Sequence, residues 1–198
     1  MVSTKLDYTY GDKVPKLFGV FIIVALLGWL VSTFLSGIHF WALPLPEGVE
    51  PSGSLEVITS DWGYIFGLPL AFLGALYYLT VLSVAGAWVQ NRSPVILKGL
   101  TLLTATGVVF SAFFVWLQLG PIGEICPFCM VSAAASTTLF ILELYMVKIS
   151  SLPSFKQLLP YWRSMFTKEA VLQFVFIFAV GFLVIVGFYG ATLAPVPG

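Results

Sequence analysis

Charge is what this sequence has least of. Asp, Glu, Lys and Arg together supply 9% of its 198 residues, against about 25% in an average soluble domain. Hydrophobic residues supply 59%, and mean hydropathy is +1.01. Such a chain is excluded from water and belongs in a lipid bilayer. The nine basic and nine acidic residues cancel, and no basic run stands among them, which leaves nothing to grip a nucleic acid. Cysteine occurs twice and histidine once, short of the four ligands of a usual zinc site. No metal is expected. No cleavable leader is expected: residues 1–16 are too polar and too long for a signal-peptide n-region, and no clear small-residue cleavage site follows. The first apolar run is therefore expected to be retained.

What is present is a series of apolar runs near the ~20 residues needed to cross a bilayer, at about 17–38, 65–89, 97–119, 126–147 and 170–193. The expected architecture is all-α and integral to the membrane. Four transmembrane helices form a bundle over about 17–148, a linker covers 148–169, and a peripheral fifth span covers 170–193, all in one transmembrane domain. Lys5, Lys13, Lys16, Arg92, Lys98, Lys148, Lys156, Arg163 and Lys168 fall in the N-terminal tail or in the connections after the second and fourth spans. The positive-inside rule makes those segments cytoplasmic. The loop over about 39–64 holds Glu47, Glu50, Glu56 and Asp61 and no Lys or Arg, and the connection before the fourth span carries only Glu124. Both are expected on the external (periplasmic) face of a cell (inner) membrane, with the N-terminus in the cytoplasm and the C-terminus outside.

The two cysteines stand together in Cys126-Pro127-Phe128-Cys129, at the outer mouth of the fourth run. Residues i and i+3 share a helix face, so the sulfurs can close into a disulfide or open into a dithiol. Cys126 at a helix start, with Pro127 at the first helical position, sits in the positive end of the helix dipole, which stabilises a thiolate. Glu124 pushes the other way. Alone, the motif fits a reversible redox pair, a structural disulfide or half a metal site. The charge pattern adds that the pair faces an oxidising compartment. Cys129 lies one turn deeper, about 4.5 Å along the axis, beside hydrocarbon in which lipid-soluble molecules dissolve.

An unpaired polar group in hydrocarbon is costly unless it faces a partner, a cavity or a ligand. Gln118 ends the third span at the depth of the cysteines, and Ser111 lies two turns deeper. On the fourth span Cys126, Cys129, Ser132, Ala133 and Ser136 make one small, mildly polar face. It suits a quinone head group; the serines equally suit close helix packing. The external loop is rich in Pro and Gly over 43–51. It then reads as a short interfacial helix with Ser54 as N-cap, Glu56 in the first turn and Leu55, Ile58 and Trp62 on one face. Pro69 falls in the first turn of the second span or marks a break. His39, beside Phe40 and Trp41, is expected in the interfacial aromatic belt, with proton relay as the minor alternative. Glu143 is expected to be solvated or paired with Lys148 or another basic neighbour, and residues 153–163 read as an amphipathic surface helix or linker.

The run Val57-Ile58-Thr59-Ser60-Asp61-Trp62-Gly63-Tyr64-Ile65-Phe66-Gly67-Leu68-Pro69, then two spans, then Ile125-Cys126-Pro127-Phe128-Cys129, resembles the vitamin K epoxide reductase family in a bacterial or archaeal form. The similarity covers about residues 17–148. It implies a four-helix bundle around a quinone, with the peripheral fifth helix of many prokaryotic members. It also implies electron flow from a thioredoxin-fold partner to a pair of loop cysteines, then to the membrane Cys-x-x-Cys, then to the quinone. Carried over, Cys126 attacks the shuttle disulfide and Cys129 is the thiol beside the quinone, while Ser60 matches the family's serine after the second loop cysteine. The chain departs from this pattern in its loop, where Ser54 holds the second shuttle position, by natural loss or by replacement, and no cysteine stands among residues 46–52. The tyrosine that animal members carry four residues after the second active cysteine is Ala133 here, which argues against stereospecific vitamin K epoxide chemistry. No thioredoxin domain follows the fifth span, so the donor is expected to be a separate protein on the external side.

The function these readings imply is a membrane thiol–quinone oxidoreductase that supports disulfide-bond formation. Electrons pass from the thioredoxin-fold partner through Cys126 and Cys129 to ubiquinone or menaquinone, with Ser60, Gln118, Ser111, Ser132 and Ala133 as candidate pocket residues. The alternative is a membrane protein that binds quinone or partner without turnover.

Overall fold

With hydrocarbon around it, a chain must satisfy its backbone groups within helices, and the apolar runs do so. A computed structural model describes residues 8–42, 52–65, 67–158 and 167–192. Within them α1 (Val14–Ala42), α3 (Leu70–Asn91), α4 (Pro94–Leu117), α5 (Pro127–Lys148) and α7 (Lys168–Thr192) are long and apolar enough to cross a bilayer. The protein is an all-α, multi-pass membrane protein. The shorter elements are α2 (Ser54–Thr59), a 3₁₀ turn (Asp61–Gly63), a hairpin of β1 (Tyr64–Ile65) with β2 (Leu68–Pro69), and α6 (Phe155–Leu158). Most of the window for the first loop cysteine, and residues 159–163 of the expected surface helix, lie outside the described residues.

Local chemistry explains most of the helix ends. Arg92 in the left-handed region (φ 50°) terminates α3. Ser93 then caps α4 by accepting from the Val95 N–H at 3.3 Å, with Pro94 at the first helical position. The second span starts at Leu70, later than the expected 65, because the paired strands Tyr64–Ile65 and Leu68–Pro69 precede it, with Gly67 at φ 77°. The interfacial helix is present but differs at both ends. Its N-cap is Gly53 (φ 58°) and Ser54 is the first helical residue, without a capping bond. It stops at Thr59, where Ser60 turns extended, so the expected apolar stripe ends at Ile58 and Trp62 is 51% exposed.

The helices α1, α3, α4 and α5 each pack on two of the others, in a ring, and α7 lies outside against α3 and α1. Far from the cysteines the ring is filled by Phe18, Phe21, Trp88, Leu97, Leu100, Leu139 and Met146. Near them a smaller cluster joins Leu35, Val57, Ile58 and Cys126, with α2 as its lid. Glu143 overturns its expectation: it is 0% exposed, with the Thr101 side chain beside its carboxyl. The cause is the rotation of α5, which turns Leu139, Glu143 and Met146 together to the interior. His39 is buried as well, edge-on to Phe40 and Tyr64 and close to the Ile58 backbone. It ties α1 to α2 instead of lying in a lipid-facing belt.

Gly28 of α1 is required by this packing, since a Cβ there would lie 2.3 Å from the Tyr78 ring. Tyr78 is fully buried and cannot swing aside cheaply. Gly28→Ala should therefore lower stability by about 1–3 kcal/mol, read as a lower thermal midpoint of the detergent-solubilised protein; an unchanged midpoint would show that the α1–α3 contact is looser than described.

Candidate active site

The site is built on the start of α5. Cys126 is the N-cap, and its sulfur accepts the Cys129 N–H at 3.3 Å. One helical turn carries Cys129 onto the same face, and its thiol donates to the Cys126 sulfur at 2.7 Å. A movement of under about 1 Å would close the pair to disulfide length. Both are free cysteines in this structure. Cys126 is 0% exposed, covered by Leu35, Val57 and Ile58. The lid is held at its start by the Gly53 N–H, which donates to the Glu124 carboxylate at 3.2 Å. The Ser54 side chain, at the start of α2, lies near enough to the Cys126 thiol to act on it.

Cys126 precedes the membrane-spanning segment, which begins at Pro127. Its thiol is pulled down to about 6, chiefly by the Cys129 thiol donating to it, against burial that pushes it up; the Ser54 hydroxyl and the Cys129 and Phe128 N–H groups add to the lowering. These contacts favour the thiolate over the thiol, and acid reverses that preference. Thiolate absorbance of the reduced protein, taken as the difference from Cys126→Ser, should rise through pH 6; a midpoint near the ordinary thiol value of about 8.5 would contradict the geometry.

A cavity of about 560 Å³ opens beside Cys129, within the ~300–1,000 Å³ range of ligand sites. Leu35, Ile58, Leu73 and Phe114 give it mostly apolar walls, with α2 at one end. Of the expected residues, Cys129, Gln118, Ser111, Ser132 and Ala133 line it. Ser60 does not: it ends α2, and its hydroxyl donates to the Val57 carbonyl at 2.9 Å. Cys126 and Ser54 also lie off the wall. Among the described residues no three of His, Cys, Asp and Glu come together.

Two tyrosines escaped the reading of the sequence. The Tyr78 hydroxyl donates to the Ser132 carbonyl at 2.6 Å, and its oxygen lies 2.8 Å from Ser136 Oγ. It binds α3 to the polar face of α5 along the cavity. The neighbouring Tyr77 hydroxyl is buried, with the Ser136 side chain as its polar neighbour. The available signal was a pair of phenols in mid-span, where each hydroxyl needs a polar neighbour.

A thiol pair at a helix mouth, on an apolar cavity within a membrane bundle, agrees with the sequence comparison. Residues 20–144, more than half of the chain, match the sequence model of the Vitamin K epoxide reductase family. The chain belongs to that family. No curated protein matches it. Vitamin K epoxide reductase family members are in general membrane thiol–quinone oxidoreductases that work with thioredoxin-like proteins. The matched segment takes in α2 and most of the four ring helices but not α7.

Proposed function

We propose that this protein is a thiol–quinone oxidoreductase of a cell membrane, supporting disulfide-bond formation, with Cys126 and Cys129 as its redox pair. The observation that carries the reading is the placement of the pair: two sulfurs 2.7 Å apart, with Cys129 on the wall of the cavity. The distribution of Lys and Arg supports an orientation with the cysteine end outside and the N-terminus in the cytoplasm. A separate thioredoxin-fold protein supplies electrons there. One donor thiolate attacks the Cys126–Cys129 disulfide at Cys126 and releases Cys129 as thiolate; the second donor thiol resolves the mixed disulfide. The donor leaves oxidised and both cysteines are reduced.

The pair then closes again, giving up two electrons and two protons. A ubiquinone or menaquinone in the cavity is the acceptor that takes them and leaves as quinol. Cys129 faces that cavity, apolar walls exclude water from it, and Ser111, Ser132, Ala133 and Gln118 border it. Ser60 acts indirectly, by ending α2. With Ser54 in place of a shuttle cysteine, the donor must reach Cys126 itself, which requires α2 to lift because Cys126 is fully buried beneath it.

Protein in lipid nanodiscs, given a reduced thioredoxin-fold donor and a short-chain ubiquinone or menaquinone, should form quinol. No turnover with either quinone, and none after Ser54→Cys, would overturn the enzyme reading. The missing loop cysteine and the buried Cys126 would then favour a protein that binds quinone or partner without turnover.

A further inference from the structure

We infer that Gln118 is a positioning residue for Cys126: it fixes the backbone that places the sulfur, and does not hold the ligand of the cavity. The inference rests on Cys126 and Cys129 being the redox pair. After α4 the chain passes through a π-helical turn (Gln118–Ile122) containing Pro121, reverses at Gly123 (φ 76°) and arrives at Cys126. The Gln118 side chain is 2% exposed and spans this reversal. Its Oε1 accepts the Cys126 N–H at 2.8 Å, and its Nε2 donates to the Phe114 carbonyl at 3.3 Å. Both ends of the amide are therefore used, one on the last turn of α4 and one on the residue that caps α5.

The Cys126 N–H lies before the first turn of α5 and has no partner within the helix, so Gln118 is what satisfies it. A buried N–H left unpaired is costly, and removing the acceptor would drive the Cys126 backbone to turn elsewhere. The sulfur cannot resist that rotation alone, because a sulfur acceptor is weak beside the oxygens that usually cap helices. Once turned, it loses the Cys129 N–H, the helix N-terminus and the Cys129 thiol together. The thiolate would lose its stabilisation, and the disulfide would gain relative to the dithiol.

Gln118→Leu removes the acceptor at similar volume, and Gln118→Asn withdraws it by one methylene while staying polar, which guards against a folding failure of the first. In both, the thiolate midpoint of the reduced protein should rise by about one pH unit, which is about tenfold less thiolate on the acid side. Equilibration with glutathione should shift toward the disulfide in the same variants. Ser111→Ala, on the cavity wall but away from Cys126, should move neither. An unchanged midpoint with a lower thermal midpoint would overturn the inference in favour of packing alone. An unchanged midpoint with a raised quinone KM would overturn it in favour of a ligand contact. Thiol titration needs no quinone turnover, so the role of Gln118 is tested even if the proposed activity fails.

Discussion

Cys129→Ser should bring quinone reduction below about one-thousandth of the parent rate, a loss typical of removing a reacting nucleophile. Serine is close in size, and Cys129 is half-buried at the edge of the cavity, so the fold should survive; an unchanged thermal midpoint would confirm that. What disappears is the chemistry. A hydroxyl neither closes onto the Cys126 sulfur 2.7 Å away nor releases two electrons by doing so. Cys126→Ser should be equally inactive with a dithiol donor, since neither single-cysteine chain can store an electron pair as a disulfide. Turnover above that level in Cys129→Ser would mean that electrons reach the acceptor by a route other than this pair.

Ser54→Cys should create a disulfide between position 54 and Cys126, because the Ser54 side chain already lies near the Cys126 thiol and α2 is pinned there by Glu124 and by the packing of Val57 and Ile58. Mass tagging of the oxidised, denatured chain should then count one free thiol, Cys129, and peptide mapping should find the new bond. A sulfur at position 54 is also easier to reach than Cys126: Ser54 is half-exposed, Cys126 is not exposed at all. Turnover with a thioredoxin-fold donor should therefore rise, on the order of tenfold, as exchange is limited by access to the attacked sulfur. If mapping finds only a Cys126–Cys129 bond and a free thiol at position 54, then α2 does not hold that residue near the pair.

These expectations draw on two kinds of information. Membrane insertion, the five spans and the place of Cys126-Pro127-Phe128-Cys129 at a helix start are properties of the chain read in one dimension. Bilayer thickness selects the length of the apolar runs, and Pro127 behind a residue in extended conformation starts a helix wherever it stands. The short helix from residue 54 was readable from its pattern, but its cap was not: Gly53 takes the cap in a backbone conformation open to glycine, which released Ser54 to lie near Cys126. The hairpin was missed because two-residue strands carry no periodicity.

Composition and local spacing were enough for the membrane and the thiol pair, and the resemblance of two motifs was enough for the family. Tertiary structure decided what surrounds the pair. Whether Glu143 meets solvent or core, whether His39 meets lipid or Tyr64, and whether Gln118 faces a ligand or the Cys126 N–H all depend on the rotation of each helix about its axis. In spans apolar on nearly every side, no polar face declares that rotation in advance. It follows from close packing, with Gly28 against Tyr78 and Tyr78 against Ser132 and Ser136, and such contacts exist only once the helices have met.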